Sequence, residues 1–563
     1  MKKYISVLAL SVALLSSCSD FLDVQSEGNP ITNAYFTNDQ QAIDAIDGLY
    51  KPFHKETMFG RDLFWEQGAG CDVVWGRSRS FNTLATMAYT GDEDPLKSAY
   101  ELLYQNISRS NWIIQQLLKK QKEKGLSEIE QRSLGEAYFM RGFAHFYVAY
   151  RYGTDEQGVP FMRYEDLPGD YDNSIPPQQK SVEDNYQYII EDMDQAIRYL
   201  PKFEEYDTDN RGRAHQAAAV AYKAKVYAYW ATWDATQWEN VIKMVDLLET
   251  DYGRDLNPSF SQLFSSEYAD FWNQEYLWTI PSDGGNIGGG IDFPGAVLEN
   301  KGWGVYNGWG QLKPTLDIYE EMAKDGAGNE RLVRSILEYN QEFEYFGSSR
   351  VFYSTSDYEA GFMINKYMDP FKHKNPVENG YVNANGDWPT VRINFPIMRF
   401  AEMKLFRAEA YLMTNRADLA KGDLDDIRER VGLQPLDHTP TMADLYHERR
   451  CELAFEFTDH LFDLKRWAQS SNAEIKALAE KELNARPRIR KYDDRSNPES
   501  TWTEAYYEDY TNKRPYEQYM RVFPYPSDVV KNSNGKLKQN KGCLLYTSPS
   551  PRDRQKSRMP SSA

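Results

Sequence analysis

The chain has 563 residues, a formal net charge of −19 and an aromatic content of 14%, with 40 Tyr and 13 Trp. The acidic charge argues against a nucleic-acid-binding protein, because phosphate backbones require a basic face, and it suits a neutral or cationic ligand better than an anionic one. So many Tyr and Trp side chains suffice for a large core and leave aromatic surface that can stack on a ligand.

The N-terminus predicts an exported, lipid-anchored protein. Lys2 and Lys3 precede an apolar stretch, residues 4–15, that is too short to span a bilayer, and a Leu-Ser-Ser tripeptide then precedes Cys18. This order is typical of a secretory signal peptide, here residues 1–17, followed by a lipobox cysteine whose thiol takes a diacylglycerol. The alternative is an ordinary signal peptide followed by a chance cysteine. No other stretch is apolar over the length that a membrane-spanning helix needs.

Helical periodicity appears next, and it recurs along the chain. Residues 97–121 repeat large apolar side chains at helical spacing. Ser127 and Glu130 then form a predicted capping box that opens a second helix. The partner of this helix is predicted to begin after Ser181 as N-cap and to end at Pro201.

Two further stretches predict more helix pairs. Residues 213–231 place alanines three or four apart, which lets a second helix, residues 237–250, approach closely. Residues 397–433 contain two helices, broken near Asn415. The pairs resemble tetratricopeptide units, although the strict repeat length is absent. We therefore predict a mainly α fold built on a tetratricopeptide-like scaffold of helix pairs, with an N-terminal helical region at residues 18–256.

A second, loop-rich lobe is predicted for residues 257–396, which lack helical periodicity and are rich in Gly, Pro and aromatic residues. Such segments form turns and binding loops on a rigid scaffold. A shorter irregular segment covers residues 66–83. A C-terminal helical region follows at residues 397–542. The composition then changes abruptly to Ser, Pro and Arg, so we interpret residues 543–563 as a disordered, non-native tail.

Several segments resemble the SusD/RagB family of outer-membrane nutrient-binding lipoproteins. The C-terminal signature of that family is similar to NFPIMRFAEMKLFRAEAYL and LDDIRERVGL in residues 394–433, and to HERRCELAFEFTDHLFDLKRW in residues 447–467. Its N-terminal signature is similar to EAYFMRGFAHFYVAYRYG followed by VPF, and its mature start to CSDFLD. The resemblance spans residues 18–542. One departure is His460, which stands where the family usually has Arg and weakens a local ion-pair expectation.

The resemblance implies a binding protein without catalytic activity, anchored in the outer membrane through Cys18 and exposed at the cell surface. It implies a lid on a SusC-like TonB-dependent transporter. Such a lid captures an oligosaccharide, or in some members a peptide, and closes over the pore of its partner.

Enzyme motifs are incomplete in this sequence. There is no G-x-S-x-G nucleophile elbow. His447 and Glu448 begin a pattern like the zinc motif H-E-x-x-H, but Cys451 occupies the position of the second histidine. We therefore predict no metal-binding residues and no cofactor, and the sequence leaves open whether a structural metal is present. We expect Cys71 and Cys451 to be two buried thiols rather than a disulfide framework or a zinc site.

The charged residues of the signature allow two interpretations. They could form a catalytic cluster of carboxylates and arginines, or they could tie helices to the loop-rich lobe through charge-assisted hydrogen bonds. We favour the second interpretation for Glu402, Arg407, Glu409, Glu448, Arg449, Arg450, Glu452 and Glu456.

The ligand-binding candidates are aromatic residues of the irregular segments, together with nearby polar groups. Flat rings stack on pyranose faces or on peptide side chains, whereas the alternative is that they pin the loops to the helices. Two acidic residues could accept hydrogen bonds from ligand hydroxyls. The candidates are one set of Trp75, Arg77 and Arg79, a second set of Trp303, Tyr306 and Trp309, and the acidic residues Asp72 and Asp292.

Two other classes of protein stay open at this point. A glycoside hydrolase on a helical scaffold would show turnover that is lost when one carboxylate pair is mutated. A helical-repeat scaffold for protein assembly would bind a partner protein strongly and show no affinity for small molecules.

Overall fold

The structure is a computed structural model, and it describes residues 36–76, 78–167, 176–283, 291–298, 308–353, 360–383 and 389–542. The predicted signal peptide with Cys18, the candidates Arg77, Trp303 and Tyr306, and the predicted tail lie outside the described residues.

The described chain is mainly helical, which confirms the predicted fold class. Within it, no helix is both long and apolar enough to cross a membrane. The helices are α1 (Asp39–Tyr50), α2 (Arg79–Ala85), α3 (Asp94–Lys124), α4 (Glu128–Tyr152), α5 (Val182–Tyr199), α6 (Gln216–Trp230), α7 (Gln237–Thr250), α8 (Phe293–Val297), α9 (Leu316–Ala323), α10 (Glu330–Ser335), α11 (Asp369–Lys372), α12 (Phe400–Met413), α13 (Ala417–Arg430), α14 (Met442–Glu452), α15 (His460–Trp467), α16 (Ala473–Asn484) and α17 (Ser527–Asn532).

The strands are short and pair antiparallel in small sheets. The pairings are β1 with β3, β10 with β11, β4 with β7 and β5 with β6, and β9 lies between β2 and β8. The strands are β1 (Val73–Val74), β2 (Tyr276–Asp283), β3 (Lys313–Pro314), β4 (Ile336–Glu338), β5 (Glu342–Tyr345), β6 (Ser348–Val351), β7 (Phe362–Ile364), β8 (Val382–Asn383), β9 (Thr390–Arg399), β10 (Arg488–Tyr492) and β11 (Trp502–Tyr506).

Local capping chemistry sets the helix boundaries where the sequence predicts them. The Ser127 side chain accepts from the Glu130 backbone N–H at the start of α4, and the Glu130 carboxylate accepts from the Ser127 N–H in return. Ser181 caps α5 in the same way. The break between α12 and α13 falls at Asn415, whose φ of 59° is the left-handed conformation that Asn tolerates better than most residues.

Close approach of small residues holds neighbouring helices together. At Gly135 in α4, an added Cβ would lie 2.9 Å from the backbone nitrogen of Leu200, so only glycine allows α4 and the end of α5 this close. The Ala-rich face of α6, including Ala217 and Ala221, is fully buried against its neighbours. An aromatic cluster fills the adjoining core, in which the rings of Phe143 and Trp278 meet edge to face at 4.7 Å.

The lobe predicted as irregular contains more sheet than its sequence indicates. Strands β2 and β9 pair along most of their length, with Ile280 opposite Phe395. Most residues of β9 are buried, so the strand lacks the alternation of apolar and polar residues that marks a half-exposed strand. Strand β9 leads directly into α12 and so fixes the lobe to the helical scaffold.

Candidate functional site

The two sequence segments that carry the ligand-binding candidates lie side by side. Strand β1, inside the segment of residues 66–83, pairs with β3, with Val73 opposite Pro314. The Thr315 backbone N–H donates to the Asp72 carbonyl at 3.1 Å and extends this contact. Three residues before β3, the Gly310 N–H donates to the Leu298 carbonyl at 2.8 Å, which fastens the same segment to the end of α8.

Arg61 joins these segments, and it was not among the sequence candidates. It is 6% exposed, and it forms ion pairs with Glu56 and, at 2.8 Å, with Asp62. Its guanidinium carbon lies 4.7 Å from the ring centroid of Trp65 and 5.2 Å from that of Trp309. These are cation–π distances, so Arg61 holds Trp309 in place.

Glycine makes the backbone geometry around Arg61 possible. Arg61 connects a π-helical turn, Glu56–Gly60, to a 3₁₀ helix, Asp62–Ala69. A Cβ on Gly60 would lie 2.6 Å from the Lys55 carbonyl oxygen, a clash with backbone that cannot move cheaply. The turn therefore depends on Gly60 to place the guanidinium.

Asp292 lies beside this arginine, just before α8, and is half-buried. Burial raises the pKa of Asp292 to about 6; the negative charge of Glu56 adds to this rise and Arg61 opposes it. At neutral pH the group is a carboxylate and can accept hydrogen bonds. Glu56, Arg61, Asp292 and the half-buried ring of Trp309 are called the Arg61 corner below.

Two sequence candidates lie in the core instead. Trp75 is 7% exposed and packs between Trp65 and Phe81, at centroid distances of 5.3 and 5.7 Å. Asp72 is buried and accepts from Arg450 Nε at 2.9 Å. These positions do not fit the expectation that Trp75 stacks on a ligand and that Asp72 accepts hydrogen bonds from ligand hydroxyls. The Trp75 ring already packs against other rings of the protein, and the Asp72 carboxylate is already paired with Arg450.

Arg79 is exposed and is the first residue of α2. Arg77, Trp303 and Tyr306 cannot be placed, because they lie outside the described residues. Arg61 and Trp65 were missed although they are four apart in an aromatic stretch that directly precedes the irregular segment. That spacing is the only sequence signal for the pair, and Glu56 and Trp309 could not be connected with it without the fold.

The charged residues of the signature form buried ion pairs between elements. Arg449 Nε lies 2.7 Å from Asp463, and Arg466 Nη1 lies 2.5 Å from Glu409. Arg407 bridges α12 and α13 through Asp423 at 2.7 Å. These contacts agree with the interpretation that the charges tie helices together.

The same charges also connect the helices to the lobe. Arg399, at the end of β9, contacts Glu275, Glu452 and Glu456 at 2.6–2.8 Å. Burial acts to raise the pKa of Glu456, but the charges of Arg399 and Lys366 hold that pKa below its usual value. A carboxylate so engaged cannot readily take a proton, which is unsuited to general acid catalysis.

His460 forms a local ion pair, although it stands where the SusD/RagB pattern usually has Arg. Its Nε2 lies 2.9 Å from Glu482 Oε1 and 3.6 Å from Asp72 Oδ2. Burial lowers the pKa of His460, yet contact with Glu482 and the charge of Asp72 raise it above the ordinary value overall. His460 therefore supplies the positive charge that Arg would supply.

Cys71 and Cys451 are both free and buried, as predicted. Burial raises the pKa of the Cys71 thiol to about 12, so it stays protonated at neutral pH.

Comparison with known proteins agrees with this architecture. A curated SusD-like protein of Bacteroides ovatus is 25% identical over 506 residues, which cover 83% of each chain. A crystal structure of a SusD-like protein from Bacteroides fragilis superposes with a TM-score of 0.71 at 18% identity, over 91% of this chain and 98% of that one. A surface glycan-binding protein A from Bacteroides uniformis superposes with a TM-score of 0.66 at 20% identity, over 89% and 99%.

Two family descriptions match the sequence itself. Residues 20–228 match a family described as starch-binding and associating with the outer membrane. Residues 203–542, more than half of the sequence, match the sequence model of the SusD family. The chain belongs to the SusD family.

Proposed function

We propose that this protein is a lipid-anchored glycan-binding protein of the outer membrane, exposed at the cell surface. It captures oligosaccharides and delivers them to a SusC-like TonB-dependent transporter without chemical conversion. The alternative ligand is a peptide. The observation that carries the proposal is the Arg61 corner, where a tryptophan ring and two carboxylates from distant segments meet.

The corner suits a neutral, hydroxyl-rich ligand. The Trp309 ring is half-buried and fixed by Arg61, so little side-chain freedom is lost when a ligand stacks on it. A pyranose presents apolar C–H groups to such a ring, and its hydroxyls can donate to the carboxylate of Asp292. The acidic chain agrees with a ligand that carries no negative charge.

The relatives support the same function at a coarser level. The description that matches residues 20–228 names starch binding and outer-membrane association, and the Bacteroides uniformis protein is named as a surface glycan-binding protein. Cys18 supplies a candidate lipid anchor for such a position.

Calorimetric titration against a panel of oligosaccharides and peptides tests the proposal. Trp309→Ala should weaken binding of the best oligosaccharide by about five- to thirtyfold, because a stacked ring contributes on the order of 1–2 kcal/mol. The matched control is Trp502→Ala, which removes a tryptophan that is 42% exposed on the β10–β11 hairpin. This control should bind like the parent chain.

Other outcomes would favour the rival functions. Unchanged affinity in a folded Trp309→Ala variant would remove the Arg61 corner from the binding site. Affinity for peptides alone would identify the alternative ligand class. Measurable glycan turnover would favour a hydrolase, and strong binding to a partner protein with no small-molecule affinity would favour an assembly scaffold. Isolation of the protein from outer membranes without a TonB-dependent transporter would contradict the delivery step.

A further inference from the structure

The fold places an acidic residue from another segment beside the incomplete zinc motif of the sequence. His447 and Cys451 are four residues apart on α14 and therefore share one face of the helix. Asp325, just beyond the end of α9, faces them: its Oδ2 lies 3.0 Å from His447 Nε2. Cys451 Sγ lies 4.0 Å from the same nitrogen. The three ligand atoms all lie within 4.8 Å of one another.

We propose that Asp325, His447 and Cys451 form a binding site for a divalent metal ion with zinc-like preferences. Imidazole nitrogen, thiolate sulfur and carboxylate oxygen are the donors that zinc takes in proteins. Zinc bonds of about 2.3 Å to sulfur and about 2.0–2.2 Å to nitrogen or oxygen place tetrahedral ligand atoms roughly 3.3–3.5 Å apart. The separation of 3.0 Å is shorter than that value, the separation of 4.0 Å is longer, and the third is at most 4.8 Å, so side-chain shifts are required to close the site.

The surrounding residues supply the outer shell that such sites use. Glu321 Oε1 lies 2.7 Å from His447 Nδ1, so it accepts the Nδ1 proton and leaves Nε2 facing Asp325. Cys451 Sγ lies beside the ring, 3.8 Å from Nδ1 and 4.0 Å from Nε2. Arg331 donates to Asp325 Oδ2 at 2.7 Å and orients that carboxylate. Carboxylate–histidine–metal arrangements of this kind fix the tautomer and orientation of the ligand.

An entry path leads to the site from solvent. A cavity of about 570 Å³ is lined by Glu321 and His447, among other residues. Cys451 lies behind them and is fully buried. A second group of Asp72, His460 and Glu482 also brings ligand atoms together. That group has no sulfur ligand, and Arg450 contacts both of its carboxylates, Asp72 at 2.9 Å and Glu482 at 3.8 Å.

The test uses the full-length lipoprotein in detergent, reduced, stripped with a chelator and free of a polyhistidine tag. Titration with Zn²⁺ should show one equivalent bound. Co²⁺, used as a spectroscopic substitute, should give the absorption of a cobalt–thiolate bond. His447→Gln and Cys451→Ser should lose this binding, and Glu321→Gln should weaken it about 10–100-fold. The matched control is Cys71→Ser, which alters the other buried thiol and should leave metal binding unchanged.

Three results would overturn the proposal. They are no Zn²⁺ binding by the parent chain, a Co²⁺ complex without a thiolate band, and unchanged binding in Cys451→Ser. If Cys451→Ser does not fold, Asp325→Asn and His447→Gln decide the question, because a thiolate band that arises at this site should be lost in both variants.

Discussion

Replacing Arg399 with Met should destabilise the protein strongly. All five N–H donors of this buried guanidinium are used: two bonds go to Glu456, two to the Glu452 carboxylate and carbonyl, and one to Glu275. Breaking a buried ion pair from one side costs about 3–5 kcal/mol, because a charge remains buried without compensation. Arg430 and Lys366 still contact these carboxylates, so we expect the lower end, about 3 kcal/mol.

The free energy of unfolding is measured by urea titration, followed by far-ultraviolet circular dichroism. The control is Arg416→Met, which removes an ion pair with Glu239 whose side chains are 33% and 64% exposed. Exposed pairs contribute about 0–1 kcal/mol. A loss below about 1 kcal/mol for Arg399→Met, or equal losses for the two variants, would refute the assignment of Arg399 as the ionic link between the lobe and the helices.

Arg399→Met should also change the pH at which the protein unfolds in acid. The pKa of Glu456 is held below its ordinary value of 4.5 in the folded chain, so its contribution is present above that pH and is lost as the pH falls through the folded pKa. Without Arg399 the folded pKa rises. Acid unfolding of the variant should therefore begin at a higher pH than in the parent chain.

Three further predictions concern the ends of the chain and the Arg61 corner. Cys18→Ala should abolish lipid labelling and membrane fractionation; a variant that still sediments with outer membranes after a high-salt wash would contradict the lipobox. Deletion of residues 543–563 should leave the melting temperature unchanged, and a drop of more than a few degrees would show that the tail packs. The raised pKa of Asp292, about 6, means that folding penalises its charged form, so this contribution destabilises at neutral pH and fades as the pH falls through 6 toward the ordinary value. Asp292→Asn should thus raise the melting temperature at neutral pH more than at about pH 5, and an equal or opposite change would argue against burial as the cause.

Sequence reasoning located the features whose causes are local. The capping box at Ser127 needs only Glu130, three residues away, and the helix break at Asn415 needs only its own backbone conformation. The signature motifs also predicted the fold class and the family. Periodicity missed β9, because a strand with most of its residues buried shows no alternation.

The candidate site was predicted less well, because its contacts are distant in sequence. The sequence suggests Asp72 as an acceptor for ligand hydroxyls, but its partner Arg450 is 378 residues away. Trp75 has an irregular, Gly-flanked context, yet its neighbours Trp65 and Phe81 enclose it. Among the described members of the two aromatic sets, Trp309 is the only one with a half-exposed ring, and its support by Arg61 comes from a segment that periodicity does not mark.

The β1–β3 pairing has a consequence for the order of folding. Thr315 Oγ1 donates to the carbonyl of Cys71, 244 residues earlier, so this contact closes a very long loop. Local helix pairs such as α6 and α7 can form without this contact. Contacts between distant segments form slowly, because the entropy of closing the loop is lost before the contact contributes any stabilising free energy. The Arg61 corner is therefore assembled late, after both the helical scaffold and the lobe are in place.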